Sequence, residues 1–177
     1  WLLDWPILMD SVTNHPDVIN VAPFVLGQGL VTRGNTVAGV LFRGVLPDKE
    51  ALVSEVLDNL TAGQSTELNP GGWNIILGAQ LARSLGVLKG DRVTLIAPKG
   101  KITPAGLLPR MKRFTVSGIF EMDMYEYDSS LALIHLDDAM TLLESSNGVS
   151  GVRLTVTDVY DAPRINSELK SQLGSSF

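Results

Sequence analysis

A short apolar run enclosed by turn residues and glycines constrains the fold of this chain more than any other segment. Asn69–Gly72, with the sequence Asn-Pro-Gly-Gly, is a strong turn signal, and Asn74–Leu77 after it has the composition of a buried strand. Gly78 then leads into a predicted helix, Ala79–Leu85, which Gly86 closes because glycine accepts the left-handed backbone conformation of a helix C-terminus. A strand followed directly by a helix predicts a mixed α and β fold.

The rest of the chain alternates predicted strands with short predicted helices. The helices are Trp5–Asn14, Lys49–Asn59, Ala139–Glu144 and Ala162–Leu173. The strands are Val18–Phe24, Gly29–Thr32, Thr36–Val45, Arg92–Ala97, Phe114–Phe120, Leu131–Leu136 and Gly151–Thr157. Between two of these strands, Pro98–Pro109 shows neither helical nor strand periodicity and is predicted to be a loop. The outer segments form strand–helix units, and the middle is richer in strands.

Composition limits the classes of protein that this chain can belong to. With 177 residues, 45% of them hydrophobic, the chain can bury one sizeable core or two small ones. Its net charge of −5 argues against nucleic acid as the main partner, and the lack of cysteine excludes thiolate metal sites, thiol nucleophiles and disulfides. Apolar runs such as Val21–Leu26 are far shorter than a membrane span. Because the chain begins at Trp1, we expect it to be an excised piece of a longer protein.

The sequence contains few residues in patterns typical of catalytic or metal-binding sites. His15 and His135 lie far apart without further ligands at metal-binding spacing, so we expect both to be structural and predict no metal and no cofactor. The segment around Ser150 lacks the spacing of a nucleophile elbow. The acidic run Glu121–Asp128 lacks the pattern of an EF-hand and is predicted to be a solvated loop. An enzyme, such as a hydrolase that uses this acidic run, is the alternative to a non-catalytic domain.

Basic residues are concentrated in one window of the sequence. The window 83–113 holds eight of the 14 Lys and Arg residues and a single acid, Asp91, so it carries +7 while the remainder carries −12. Lysines on a sheet edge discourage unwanted strand pairing, which is one interpretation of this charge. An electrostatic docking surface is the other, and charge alone leaves both open.

The predicted loop inside this window favours a docking surface. Prolines at both ends and near the middle fix the backbone of Pro98–Pro109, so the segment is partly preorganised. Ile102, Leu107 and Leu108 have no obvious way to become buried in such a loop, and exposed apolar groups on a stiff segment indicate a partner surface. A loop folded back onto its own domain remains the alternative.

Two sets of residues resemble a known family. The wider set is Ile76-Leu77-Gly78, Leu81-Ala82, Leu85-Gly86-Val87, Gly90-Asp91 and Val93. The narrower one is Thr103–Pro109, between Pro98 and Arg110. Together they resemble the periplasmic domain of the LolC, LolE and LolF membrane subunits of the lipoprotein-releasing Lol ABC transporters, within the wider MacB-like periplasmic core domain group. Trp1–Phe24 and Gly148–Ala162 look more like LolE, whereas Thr103–Pro109 looks more like LolC.

The resemblance implies a set of partner-binding residues. In LolC the matching segment is the Hook, which captures the periplasmic carrier LolA, and a nearby Pad supports the carrier. The implied contacts are Pro98, Ile102, Thr103, Pro104, Ala105, Gly106, Leu107, Leu108, Pro109, Arg110, Met111 and Lys112. The Pro–Met–Gly tip of the family is Pro104-Ala105-Gly106 here. At the position of the family's Pad arginine before the Hook, this chain has Thr94. At the positions of the Pad Gln–Arg pair, it has Met111 and Lys112.

The same resemblance implies an architecture and a set of partners. The expected fold is α+β, with a Porter-like α/β lobe formed by 1–48 and 146–177. A β-rich Sabre-like lobe, 49–145, would carry the Hook at 98–109. The implied partners are LolA, a LolE-type or identical membrane subunit, a LolD-type ATPase and lipoprotein cargo, with no nucleic acid. The protein would sit in the inner membrane of a Gram-negative bacterium with this domain in the periplasm. A MacB-type efflux pump subunit that docks an adaptor protein is the alternative.

Overall fold

The computed structural model describes residues 1–104 and 106–173, except for the side chains of 99–103, 107, 172 and 173. The helices are α1 (Trp5–Thr13), α2 (Pro47–Glu50), α3 (Ala79–Leu85), α4 (Tyr125–Ser130), α5 (Leu136–Leu143) and α6 (Ala162–Leu173). The strands are β1 (Val18–Arg33), β2 (Thr36–Val45), β3 (Leu60–Ala62), β4 (Asn74–Gly78), β5 (Arg92–Thr103), β6 (Gly106–Phe120), β7 (Leu131–His135) and β8 (Gly151–Val156). The predicted α+β class is confirmed. No described helix has both the length and the apolar character needed to cross a membrane.

Six strands pair in a ring that closes on β1. β1 pairs antiparallel with β2, β2 parallel with β7, and β7 antiparallel with β4. β4 then pairs parallel with β6, β6 antiparallel with β5, and β5 returns to β1 over the short stretch Leu30–Thr32. β8 extends the sheet along the first half of β1, and β3 pairs with the end of β6. One continuous sheet therefore joins the two ends of the chain to its middle.

The main core lies against this ring. Phe42 and Phe114 are fully buried there together with apolar side chains of α3 and α5. Gly27 makes this packing possible, because a Cβ at that position would lie 2.1 Å from the ring of Phe42. A smaller cluster surrounds Phe120, and a third joins α1 and α6 to β1 and β8. Val152, Leu154 and Val156 alternate along the sequence of β8, a pattern that predicts a half-buried strand, and all three pack into that third cluster.

The predicted strand–helix unit is confirmed. Strand β4 is followed directly by α3, and Gly86 ends that helix with a φ of +65°. A Cβ at Gly78 would lie 2.4 Å from the backbone oxygen of Asp128, so this corner needs a glycine. Both histidines have structural contacts: His135 accepts the backbone N–H of Asp137 at the start of α5, and His15 Nε2 lies 3.1 Å from Glu168.

The single helix predicted over Lys49–Asn59 is wrong. The chain forms only the one-turn helix α2, followed by a separate 3₁₀ turn at Val56–Asn59. Ser54 lies between them, and its hydroxyl accepts the backbone N–H of Val56 at 3.4 Å. A serine that bonds the local backbone in this way competes with helix continuation.

The prediction that Glu121–Asp128 is a solvated loop is also wrong. The second half of the run begins α4, and Asp128 is buried there with its carboxylate accepting the N–H of Met122 at 2.8 Å. A buried carboxylate needs such a donor, because its desolvation would otherwise be costly. Asp128 therefore helps to fold this segment. Among the described residues, no cluster of three or more His, Asp or Glu side chains could hold a metal ion.

Candidate functional site

Strands β5 and β6 extend as a two-stranded arm. Residue Ile96 of β5 pairs with β1, and Thr115 of β6 pairs with β4. Beyond these two residues, the pairings that the structure describes join β5 only to β6, out to Thr103 and Gly106. We call residues 98–109 the arm, because this part of the hairpin extends past the ring of strands.

The prediction of a loop over the whole of Pro98–Pro109 is wrong, because β5 continues to Thr103 and β6 begins at Gly106. Proline lacks an N–H and therefore breaks the regular ladder. The structure accommodates Pro98 in a register shift between Ala97 and Lys101, after which pairing resumes. Proline is tolerated at bulges and on strands with an unpaired edge, and the arm provides both conditions. The two predicted strands Arg92–Ala97 and Phe114–Phe120 do belong to one hairpin, but they meet only at Arg92 and Val93, and the rest of Arg92–Ala97 pairs with 110–113, which the sequence left outside a strand.

Residues assigned to the arm are exposed wherever the structure describes their side chains. These residues are Pro98, Pro104, Gly106, Leu108 and Pro109. Leu108 is 59% exposed, a high value for a leucine beside an ordered strand. The predictions for Ala105, and for the side chains of Ile102, Thr103 and Leu107, lie outside the described residues. The arm thus presents at least one large apolar side chain to solvent.

The base of the arm has an outer face that carries an exposed row of side chains. Met111 pairs with Ile96, and Arg113 pairs with Thr94. Paired residues lie on the same face of a sheet. Ile96 is in turn opposite Leu30 of β1, so one row crosses three strands from Met111, which is 59% exposed, to Leu30, which is 44% exposed. A shallow hollow of about 380 Å³ lies beside this row, lined by Thr94, Met111, Lys112 and Arg113.

The opposite face of the arm base is tied to the domain. The guanidinium of Arg110 donates to the backbone oxygen of Leu143 and, at 3.0 Å, to the carboxylate of Glu144. Lys112 places its Nζ 4.1 Å from the ring centroid of Trp73. The predicted docking residues therefore lie on two faces of the arm base. The side chain of Met111 faces outward, whereas those of Arg110 and Lys112 have partners within the domain.

A cleft of about 840 Å³ opens beside the arm base. Its walls come from Trp1, Leu26, Gly27, Gln28, Ala97, Pro98, Arg110, Leu143 and Glu144. Because Pro98 and Arg110 line it, the cleft and the arm share residues.

Part of the positive charge of the basic window 83–113 is neutralised by ion pairs with acidic residues of the same chain. Arg83 pairs with Glu121 at 2.8 Å, and Lys89 pairs with Glu67 at 2.6 Å. Arg110 is paired as well, with Glu144. The ion pairs that the structure describes do not involve Arg92, Lys112 or Arg113, whose side chains are exposed. Among the cations of the window whose side chains the structure describes, the ones outside these ion pairs therefore lie on the strands at and below the base of the arm.

The sequence patterns did not point to three features of this site. Leu30 joins the exposed row only through strand pairing, and Glu144 reaches Arg110 from the end of α5. Trp73 follows the turn before β4 and has a positive φ of 51°.

A family comparison covers nearly all of the chain. Residues 3–172 match the model of the MacB-like periplasmic core domain. The chain belongs to this family.

Curated relatives of the chain carry names from one transport system. This chain is 40% identical to the "lipoprotein-releasing system transmembrane protein LolC" of Neisseria meningitidis. The alignment of 166 residues covers 94% of this chain and 40% of that protein. It is 36% identical to LolC of Xylella fastidiosa, over 98% of this chain and 42% of the relative. A LolE of Haemophilus influenzae is 27% identical over 170 residues, 92% of this chain and 39% of that protein. The chain spans about two fifths of the length of these relatives.

Solved structures share the fold at low sequence identity. The extracellular domain of the ABC-type transporter YknZ from Gram-positive bacteria matches with a TM-score of 0.65 and 11% identity, over 95% of this chain and 83% of that one. The periplasmic region of MacB from Actinobacillus actinomycetemcomitans matches with a TM-score of 0.61 and 13% identity, over 95% and 72%. These likenesses show a MacB-like fold.

Proposed function

We propose that this chain is the periplasmic domain of a Lol-type ABC transporter membrane subunit, and that its arm docks the lipoprotein carrier LolA. The observation that carries the proposal is the arm itself, a two-stranded extension beyond the ring with Leu108 exposed. Names of relatives at 40% and 36% identity over nearly the whole chain support the choice of transporter. We further propose that the domain helps to pass lipoproteins from the inner membrane to the carrier.

The arm is suited to enter an apolar cavity on a partner. Burying a leucine or isoleucine side chain is worth roughly 1.5–3 kcal/mol, and micromolar affinity requires about −8 kcal/mol. Ile102, Leu107 and Leu108 together could supply much of that free energy. The prolines and the strand pairing reduce the freedom that the arm loses on binding, and preorganisation of this kind raises affinity.

The outer face at the arm base supplies a second contact area. Met111 and Leu30 offer apolar surface there, and Arg113 and Arg92 add positive charge at its margin. Positive charge at the rim steers an acidic partner and raises the association rate. We therefore propose that the supporting contact of the carrier lies on Met111 and Arg113 of the outer face, and that it reaches Lys112 across the hollow that all three residues line.

The whole-protein context is part of the proposal. The domain would lie in the periplasm of a Gram-negative bacterium, in an inner-membrane protein with a LolE-type or identical second subunit, a LolD-type ATPase and lipoprotein cargo. A Porter-like lobe (1–48 and 146–177) and a Sabre-like lobe (49–145) remain a proposed division of the domain. The domain itself would be non-catalytic and would transmit motion driven by ATP hydrolysis in the other subunit.

A parallel titration tests the docking role. The domain is titrated with LolA and with a MacB-type periplasmic adaptor from the same organism, and heat release or surface binding is recorded. We expect saturable binding to LolA near the micromolar range and none to the adaptor. Binding to the adaptor alone would instead support the efflux-pump alternative, and binding to neither would reject docking through this domain.

A further inference from the structure

Trp73 is held in an unusual backbone conformation from two sides. Its φ is +51°, a region that bulky residues rarely occupy. Its N–H donates to one oxygen of the Asp138 carboxylate at 3.0 Å, while the N–H of Gly71 donates to the other at 2.7 Å. Its carbonyl accepts the N–H of Thr115 on β6 at 2.9 Å. Helix α5 and strand β6 thus fix this residue between them.

The Asp138 carboxylate that binds the backbone of Trp73 is buried. Asp138 is 2% exposed and is placed by α5 in the core beside the turn. Burial raises the pKa of Asp138, whereas the two backbone N–H groups from Gly71 and Trp73 act in the opposite direction. Both of these N–H donors belong to the turn before β4. The turn and the helix therefore depend on each other.

The Trp73 side chain links the core to the arm base. Its ring meets Phe114 edge-on, with centroids 5.5 Å apart and an interplanar angle of 77°. Lys112, two residues before Phe114 on β6, lies over the ring with its Nζ 4.1 Å from the centroid. Within the described residues, no ion pair involves Lys112. The indole ring is therefore the contact that orients its ammonium group.

The Trp73 side chain packs on the core on one side and contacts the arm base on the other. The positive φ would be met without strain by glycine, which already occupies Gly71 and Gly72. Strained residues persist where the surroundings over-determine them, and they concentrate at functional sites. Glycine would lose both the edge-on contact with Phe114 and the aromatic surface under Lys112, and the second of these faces the arm base.

We propose that Trp73 is a positioning residue that holds the ammonium of Lys112 at the arm base, where an acidic group of the docked carrier receives it. This rests on the proposed docking function and adds to it a residue distant in sequence from the arm. The ring fixes the cation before binding, so the partner does not have to order a free lysine side chain. Trp73 contributes to the lifetime of the complex, and the charge of Lys112 contributes to its formation.

A double-mutant cycle tests the coupling. Dissociation rate constants for LolA are measured with the native domain, Trp73→Leu, Lys112→Met and the double variant. We expect Trp73→Leu to raise the dissociation rate about two- to fivefold, the size of an exposed cation–π contact, and to leave the association rate unchanged. In the Lys112→Met background the same change should have no further effect. Equal losses in both backgrounds, or no loss in either, would overturn the positioning role.

A second variant distinguishes loss of the aromatic contact from a folding defect. Trp73→Tyr keeps an aromatic face under the ammonium and should restore most of the lifetime, whereas a loss through misfolding would also lower the melting temperature. If Trp73→Tyr dissociates as fast as Trp73→Leu at an unchanged melting temperature, the ring is not the positioning group. Absence of LolA binding by the native domain would reject the proposed function and the positioning role together. Native binding without coupling would reject only the latter.

Discussion

Arg110 and Glu144 form an ion pair, with 3.0 Å between Nη2 and Oε2, that ties the base of the arm to the end of helix α5. Arg110 also donates to the backbone oxygen of Leu143, so the same guanidinium satisfies a carbonyl of the last helical turn. The sequence suggested that Arg110 would meet a partner directly. The structure instead bonds Arg110 to the domain itself, at the base of the arm.

Removing this tie should loosen the arm while the domain stays folded. Arg110→Ala is expected to cost less than about 1 kcal/mol in the free energy of unfolding from the ion pair, because the pair is partly solvated. Amide hydrogen exchange at the base of the arm should nevertheless become faster. Glu144→Gln is the matched control: it should reproduce part of the acceleration. Unchanged exchange in both variants would show that the arm is held by other contacts.

Charge reversal on the outer face should slow association. Arg113→Glu is expected to lower the association rate constant for LolA by about two- to tenfold at low ionic strength. The difference from the native domain should shrink as salt shortens the Debye length from about 30 Å at 0.01 M to about 8 Å at 0.15 M. Lys170→Glu on α6 provides a control with the same change in net charge. An equal slowing by both variants, or none by Arg113→Glu, would show that Arg113 does not face the partner.

Local sequence chemistry predicted much of the fold and little of the arm's geometry. Gly86 identified the end of α3, and the alternation at Val152 identified the buried side of β8, because both signals depend only on near neighbours. The arm was different, since Pro98–Pro109 shows no strand periodicity and the register shift that accommodates Pro98 depends on pairing with β6. The contact of Lys112 with Trp73 joins residues separated by 39 positions, which no local pattern can reveal.

Two glycines offer a matched test of the packing. Gly78→Ala would place a Cβ 2.4 Å from the backbone oxygen of Asp128 and should lower the free energy of unfolding by about 1–3 kcal/mol. Gly39→Ala on β2 meets nothing within 4 Å and should leave stability unchanged or raise it by about 0.4–1 kcal/mol. Chemical denaturation of both variants measures the difference. Similar values for the two would contradict the close approach of α4 to β4.

The contact between α1 and α6 should weaken in acid. Hydrogen bonds from Arg164, and then from His15, lower the pKa of Glu168 below its ordinary value of 4.5. A lowered pKa in the folded state stabilises the protein above the unfolded pKa, and the stabilisation is lost as pH falls through the folded value. Glu168→Gln should therefore be less stable than the native domain at pH 6, and the gap should narrow below pH about 4.5.

Denaturation at several pH values checks this acid dependence. Glu126→Gln on α4 removes an exposed carboxylate outside the α1–α6 contact and serves as the control. A gap between the native domain and Glu168→Gln that stays constant from pH 6 to pH 3 would show that the network around Arg164 does not stabilise the fold.

The most direct test of the docking proposal replaces the arm. A variant in which a short Gly/Ser linker substitutes for Lys99–Leu108 keeps the paired segment from Arg92 to Ala97 and the flanking Arg110. We expect calorimetric titration with LolA to show no binding, while the melting temperature stays within a few degrees of the native value. Replacing Val159–Asp161, an exposed turn before α6, with a linker of equal length should leave binding intact. Native-like affinity of the arm variant for LolA would contradict the account, as would a marked fall in its melting temperature.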